Sequence, residues 1–102
     1  MTTYPLHIAL QEGFDGDTVT ITVNAQEVFR KQSVQTRRQI GYADAAEVQV
    51  AAGEATIRID VLSRQTSSEL TVRVDGPKYV GVSLTAAGAI TCRVSQEPFG
   101  YL

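Results

Sequence analysis

Tryptophan is absent from this chain, and cysteine, histidine and methionine each occur once. With Cys92 as the lone cysteine, no intramolecular disulfide forms and no cysteine-rich zinc site can be built. His7 has no second histidine to share a metal with, and one histidine among many hydroxyls and carboxylates spells no catalytic triad. The missing tryptophan removes the strongest ring for stacking on a sugar face. No apolar run approaches the ~20 residues that span a bilayer as a helix. The glycines fall singly in turns and form no phosphate-cradling loop. A formal net charge of -2 is too small for the global field to call for nucleic acid or a membrane surface, and neither is expected as a partner. Internal repeats and low-complexity tracts are also missing. Met1-Thr2-Thr3-Tyr4-Pro5 lacks the basic and apolar pattern of a signal peptide, so the default expectation for location is cytoplasmic.

What is present is a rhythm. Val19, Ile21 and Val23 alternate with Thr18, Thr20 and Thr22. That two-residue period is the mark of a strand with one dry face and one wet face. Threonine suits the wet face, because its branched Cβ favours extended backbone while its hydroxyl stays solvated. Leu6, Ile8 and Leu10 repeat the pattern, as do Ala46, Val48 and Val50, then Ala55, Ile57, Ile59 and Val61. Leu70, Val72 and Val74, then Val80, Val82 and Leu84, then Ile90, Cys92 and Val94 complete it. Between these runs lie turn residues: Glu12 to Asp17, Asn24 to Glu27, Ala51 to Glu54, Asp75-Gly76-Pro77 and Ala86-Ala87-Gly88. Residues 30–45 are the least regular. A helical turn over Tyr42 to Glu47 ranks below a strand through Ala46, Val48 and Val50.

With 102 residues, 43% of them hydrophobic, the chain is long enough for one domain with a real core and too short for two. Seven or eight short strands, each with one apolar face, predict an all-β antiparallel sandwich over residues 1–102. A small β-barrel is the alternative, since the same alternation serves both. Hairpins are expected at Val19–Phe29, Ala46–Leu62 and Tyr79–Ser95.

Three groups of residues are candidates for function. Asp15 and Asp17, with Glu12 nearby, could supply carboxylate oxygens to calcium, the one cofactor the sequence brings to mind. The same residues also read as a tight turn in which aspartate accepts from nearby backbone N–H groups. Asp44, Asp60 and Asp75 join such a site only if the fold gathers them. Arg30, Lys31, Arg37 and Arg38 form a basic cluster suited to an anion or an acidic partner, or to an edge strand guarded by charge. Phe99, Tyr101 and Leu102 make an apolar tail, where chain ends are usually polar. Such a tail either folds back onto the sandwich or docks on another chain. His7 is placed on a wet face and Cys92 in the core, where a thiol is inert.

No motif here fixes a function. The reading that fits the pattern is a non-catalytic β-sandwich binding module that contacts another protein chain or a copy of itself. The alternative is a carbohydrate- or small-ligand-binding module, assisted by calcium; an enzyme is the least favoured reading, because no residue set has catalytic spacing.

Overall fold

The central strands decide the architecture. In a computed structural model, residues 2–37 and 39–99 are described, and they form eight strands. These are β1 (Thr3–Leu10), β2 (Asp15–Val23), β3 (Gln26–Gln35), β4 (Asp44–Ala51), β5 (Gly53–Val61), β6 (Thr66–Val74), β7 (Lys78–Leu84) and β8 (Ile90–Ser95). They divide into two four-stranded sheets, ordered β4-β1-β7-β8 and β3-β2-β5-β6. Neither sheet closes on itself or on the other, so the molecule is a sandwich and not the barrel that the alternation also permitted. Among the described residues no helix is long and apolar enough to cross a membrane.

The alternation is realised in the core. Leu6, Ile8 and Leu10 of β1, and Val80, Val82 and Leu84 of β7, face Val19 and Ile21 of β2 and Ile57, Ile59 and Val61 of β5. All are essentially withdrawn from water. Fully burying such a side chain is worth about 1.5–3 kcal/mol, so these four inner strands carry most of the stabilisation. The edge strands add buried residues, Val34 from β3, Val50 from β4 and Val72 and Val74 from β6, and half-buried ones, Val48, Leu70, Ile90 and Cys92.

Two of the expected hairpins form. β2 and β3 are joined by a two-residue turn, tighter than Asn24 to Glu27, with Asn24 and Ala25 at φ 50° and 66°. β7 and β8 pair from Tyr79–Ser95 to Leu84–Ile90. The hairpin expected over Ala46–Leu62 does not form. β4 pairs with β1, whereas β5 pairs with β2 and β6 in the other sheet. The backbone crosses between layers at Ala52, and Gly53 takes φ 124° as it enters β5. Alternation tells which side chains face inward; it does not tell which strand lies alongside.

The remaining connections complete the fold. Between β5 and β6, the polar segment Ser63 to Ser68 does not run as a loop: a 3₁₀ turn at Leu62–Arg64 leads through Gln65, at φ 53°, straight into β6. The strand expected through Ala46, Val48 and Val50 forms as β4, which begins at Asp44, and Tyr42 bridges back to Arg37. One pairing, β1 with β7, is parallel, while the rest are antiparallel.

Candidate functional site

The Asp15–Asp17 turn opens β2, and its two carboxylates have different fates. Asp15 is exposed, whereas Asp17 is only 3% exposed. Asp17 Oδ1 accepts from Arg64 Nε at 2.9 Å and from Ser63 Oγ at 2.7 Å. Its Oδ2 accepts from Arg64 Nη2 at 3.0 Å and from the backbone N–H of Asp15 at 2.9 Å. Burial alone would push this carboxyl up. The Arg64 fork, the Asp15 N–H, the Ser63 hydroxyl and the Arg64 charge together outweigh it and hold Asp17 at a pKa of about 2. Arg64 also donates to Gly13 O at 3.2 Å, and Ser63 Oγ accepts from Thr18 N–H at 3.2 Å. The turn is thus a polar knot that ties the β5–β6 corner to the start of β2. A cation drawing on Asp17 would have to displace the guanidinium.

The other aspartates are dispersed. Asp44 pairs with Lys31, Asp60 with Arg58 at 3.2 Å and Asp75 with Lys78 at 2.9 Å. Among the described residues, no three of histidine, cysteine, aspartate and glutamate converge as a metal site would require.

Two members of the basic cluster, Arg30 and Lys31, are paired within the molecule. Arg30 Nη2 lies 2.8 Å from Glu27 Oε1, and Lys31 reaches across from β3 to Asp44 on β4 in the other sheet. Burial pushes the Asp44 carboxyl up, but the Lys31 hydrogen bond, the Ala45 N–H and the Lys31 and Arg37 charges leave it below its ordinary value. Arg37 pairs through its backbone with Tyr42. Arg38 lies outside the described residues. On the side of the sandwich formed by β3 and β4, the Lys31–Asp44 pair is the described ion pair that ties one sheet to the other.

Of the tail, Phe99 folds back: its ring lies under the Arg93 guanidinium of β8, 4.6 Å from the ring centroid. Tyr101 and Leu102 lie outside the described residues. His7 stacks face to face on Tyr79, with centroids 4.6 Å apart and planes 6° apart, and its Nε2 is 3.6 Å from Glu47 Oε1. Cys92 is half-buried rather than fully enclosed, and burial pushes its thiol up, away from the nucleophilic thiolate.

Two shallow recesses meet at Glu12 and Gly41. One, of about 470 Å³, lies among the loops at one end of the sandwich, between Phe14, Thr36, Arg64 and Thr85. The other, of about 460 Å³, lies on the outer face of the β4-β1-β7-β8 sheet, over Gln11, Gly81, Ser83, Thr91 and Arg93.

The opposite flank differs from the one that Lys31 and Asp44 bridge. Here β6 and β8 are the edges of the two sheets. Val94 on β8 is 46% exposed and Leu62, at the corner leading into β6, is 47% exposed. These are the large hydrophobics left open among the described residues. Leu70, Ile90 and Cys92 nearby are only partly covered. β3 is interrupted by register shifts and by Ser33 at φ 58°, devices that blunt an edge. β6 runs nine residues in unbroken register with β5, from Gly53–Val74 to Val61–Thr66. The alternation had put Val94 in the core, because periodicity does not distinguish an inner strand from an outer one. No protein-family model matches the chain, and no curated protein matches it in sequence.

Proposed function

We propose that this chain is a non-catalytic β-sandwich interaction module that takes an extended segment of a protein chain along the flank where β6 and β8 end their sheets. The observation that carries the reading is the contrast between Val80 and Val94. The two are direct partners on one face, yet Val80 is fully buried and Val94 is 46% exposed. An unbroken edge offers backbone N–H and C=O groups for strand addition, and half-covered apolar side chains beside it supply the desolvation that backbone bonds alone do not.

The test is site-specific photo-cross-linking in the native host, with the cross-linker at Thr71 on β6, at Val94 on β8, and at Gln49 on β4 as the control. The reading expects adducts at Thr71 or Val94 that map by mass spectrometry to one extended segment of a defined chain. Adduct yields no higher than at Gln49 would overturn it.

A second reading has a specific observation behind it. The recess over Gly81 is lined by the Gln11 amide, the Ser83 and Thr91 hydroxyls, the Glu12 carboxylate and Arg93, and Arg93 makes no ion pair among the described residues. This mixed polar lining, with one charge of each sign, suits a small polar ligand such as a sugar. Thermal melting with neutral and acidic monosaccharides tests it, since binding to the folded state raises Tm by mass action. No rise with either class removes it.

A further inference from the structure

We infer that the occupant of this flank is a second copy of the same chain, with β6 of each copy pairing antiparallel about a two-fold axis through Thr71. The inference rests on the interaction-module reading above and adds the identity of the partner and the register.

The charge pattern of β6 is self-complementary. Its exposed, outward residues are Ser67, Glu69, Thr71 and Arg73, and its inward residues include Leu70, Val72 and Val74. Pairing about Thr71 sets Glu69 of one copy opposite Arg73 of the other, twice over. Within one copy, Glu69 already stands beside Arg58, and Arg73 beside Glu54, on β5. Across the axis the row therefore reads Arg58, Glu69, Arg73, Glu54, with charges alternating without a break. Neither Glu69 nor Arg73 makes an ion pair within the copy among the described residues. Opposite charges directly across a strand pair stabilise it, and like charges destabilise it.

The same register works on the inner face. Leu70 meets Val72 of the other copy, so a half-buried side chain at the edge of one core becomes continuous with the other core. Registers that differ by one residue would set outward residues against inward ones and turn one sandwich to the wrong side of the joint sheet. Moving the axis to Glu69 or Arg73 places like charges face to face. Moving it to Val72 sets Glu69 against Asp75. The remaining edges lack this symmetry: β3 is irregular, and β4 and β8 each present a single outward charge, Glu47 and Arg93. Self-pairing through one patch closes on itself as a dimer and does not propagate.

The experiment is sedimentation equilibrium of the full chain from micromolar to millimolar concentration, with circular dichroism and melting to confirm that each variant folds. The inference expects a monomer–dimer equilibrium. Glu69→Arg alone, or Arg73→Glu alone, should weaken it roughly tenfold or more, and the double exchange should restore it. A monomer throughout the range overturns self-pairing. A dimer indifferent to both single changes overturns this register. Either failure is distinguishable from failure of the broader reading, which the cross-links at Thr71 and Val94 decide: an adduct with a foreign chain keeps the module and removes the homodimer.

Discussion

Arg64 grips Asp17 in a two-pronged bond, Nε to Oδ1 and Nη2 to Oδ2, across 47 residues of sequence. The carboxylate is almost wholly buried. The Arg64 side chain keeps 31% of its surface in water, so the charge left behind stays partly solvated, and losing the pair should cost about 2 kcal/mol. Asp17→Asn should therefore lower Tm markedly, and denaturant melts should show the loss.

The same pair sets an acid limit. The folded pKa of Asp17, about 2, lies below the unfolded value of 3.8. A depressed carboxyl stabilises the fold above the unfolded value, and the contribution disappears as pH falls through the folded one. Asp17 should thus supply about 2 kcal/mol at neutral pH, lost between 3.8 and about 2. Urea melts across that window should show the fall in the native chain. The slope should be shallower in Asp17→Asn, which has no such proton to take up.

Gly13 is where the β1–β2 loop presses on the end of β7. A Cβ there would lie 2.1 Å from Leu84 O, and the backbone holds φ +90°. Backbone cannot step aside as a side-chain tip can, so Gly13→Ala should cost about 3 kcal/mol or more. Gly76 has open space around the equivalent position and an ordinary φ. Gly76→Ala should change stability by less than about 1 kcal/mol. Equal losses in paired thermal melts would contradict the packing described for Gly13.

The β2–β3 turn places Ala25 at φ 66°, a left-handed conformation that costs an alanine about 1–2 kcal/mol. Asn24 beside it tolerates that region, and its Oδ1 accepts from Thr56 N–H at 2.9 Å. Ala25→Gly should raise stability by about 1 kcal/mol, offset in part by the greater freedom of glycine in the unfolded chain. A rise of a few degrees in Tm is the expected reading.

How legible all this was in the sequence depends on the range of the interaction. Ile57, Ile59 and Val72 were placed inward by period alone, and they are buried. A two-residue period is a property of the chain itself. The partner of a strand is not, which is why β4 and β5 read as a hairpin although they belong to different sheets. Arg64 gave no local signal, because its meaning lies in Asp17, far along the chain. The basic residues Arg30 and Lys31 looked free for the same reason: Glu27 is close enough to suspect, but Asp44 comes alongside only when the sheets stack. Val94 is the instructive case. Its phase was read correctly and its burial was not, since exposure on an edge strand depends on what lies beyond it.

That last point carries a prediction. Val80 and Val94 are opposite partners with the same side chain on the same face, and only Val80 is sealed from water. Exchanging valine for threonine keeps the shape and adds a hydroxyl. At Val80 the hydroxyl must be buried, which costs about 1–3 kcal/mol. At Val94 it remains half in water, and the change should fall within about 0.5 kcal/mol. Urea melts of the two variants should therefore separate cleanly. Val94→Lys carries the argument to the flank itself: the charge stays solvated, so the isolated chain should melt nearly as before. Any assembly that covers Val94 must bury an unpaired ammonium, and its association should weaken even though folding does not. If Val94→Lys unfolds the monomer as Val80→Lys does, Val94 belongs to the core, and the flank is not an open surface.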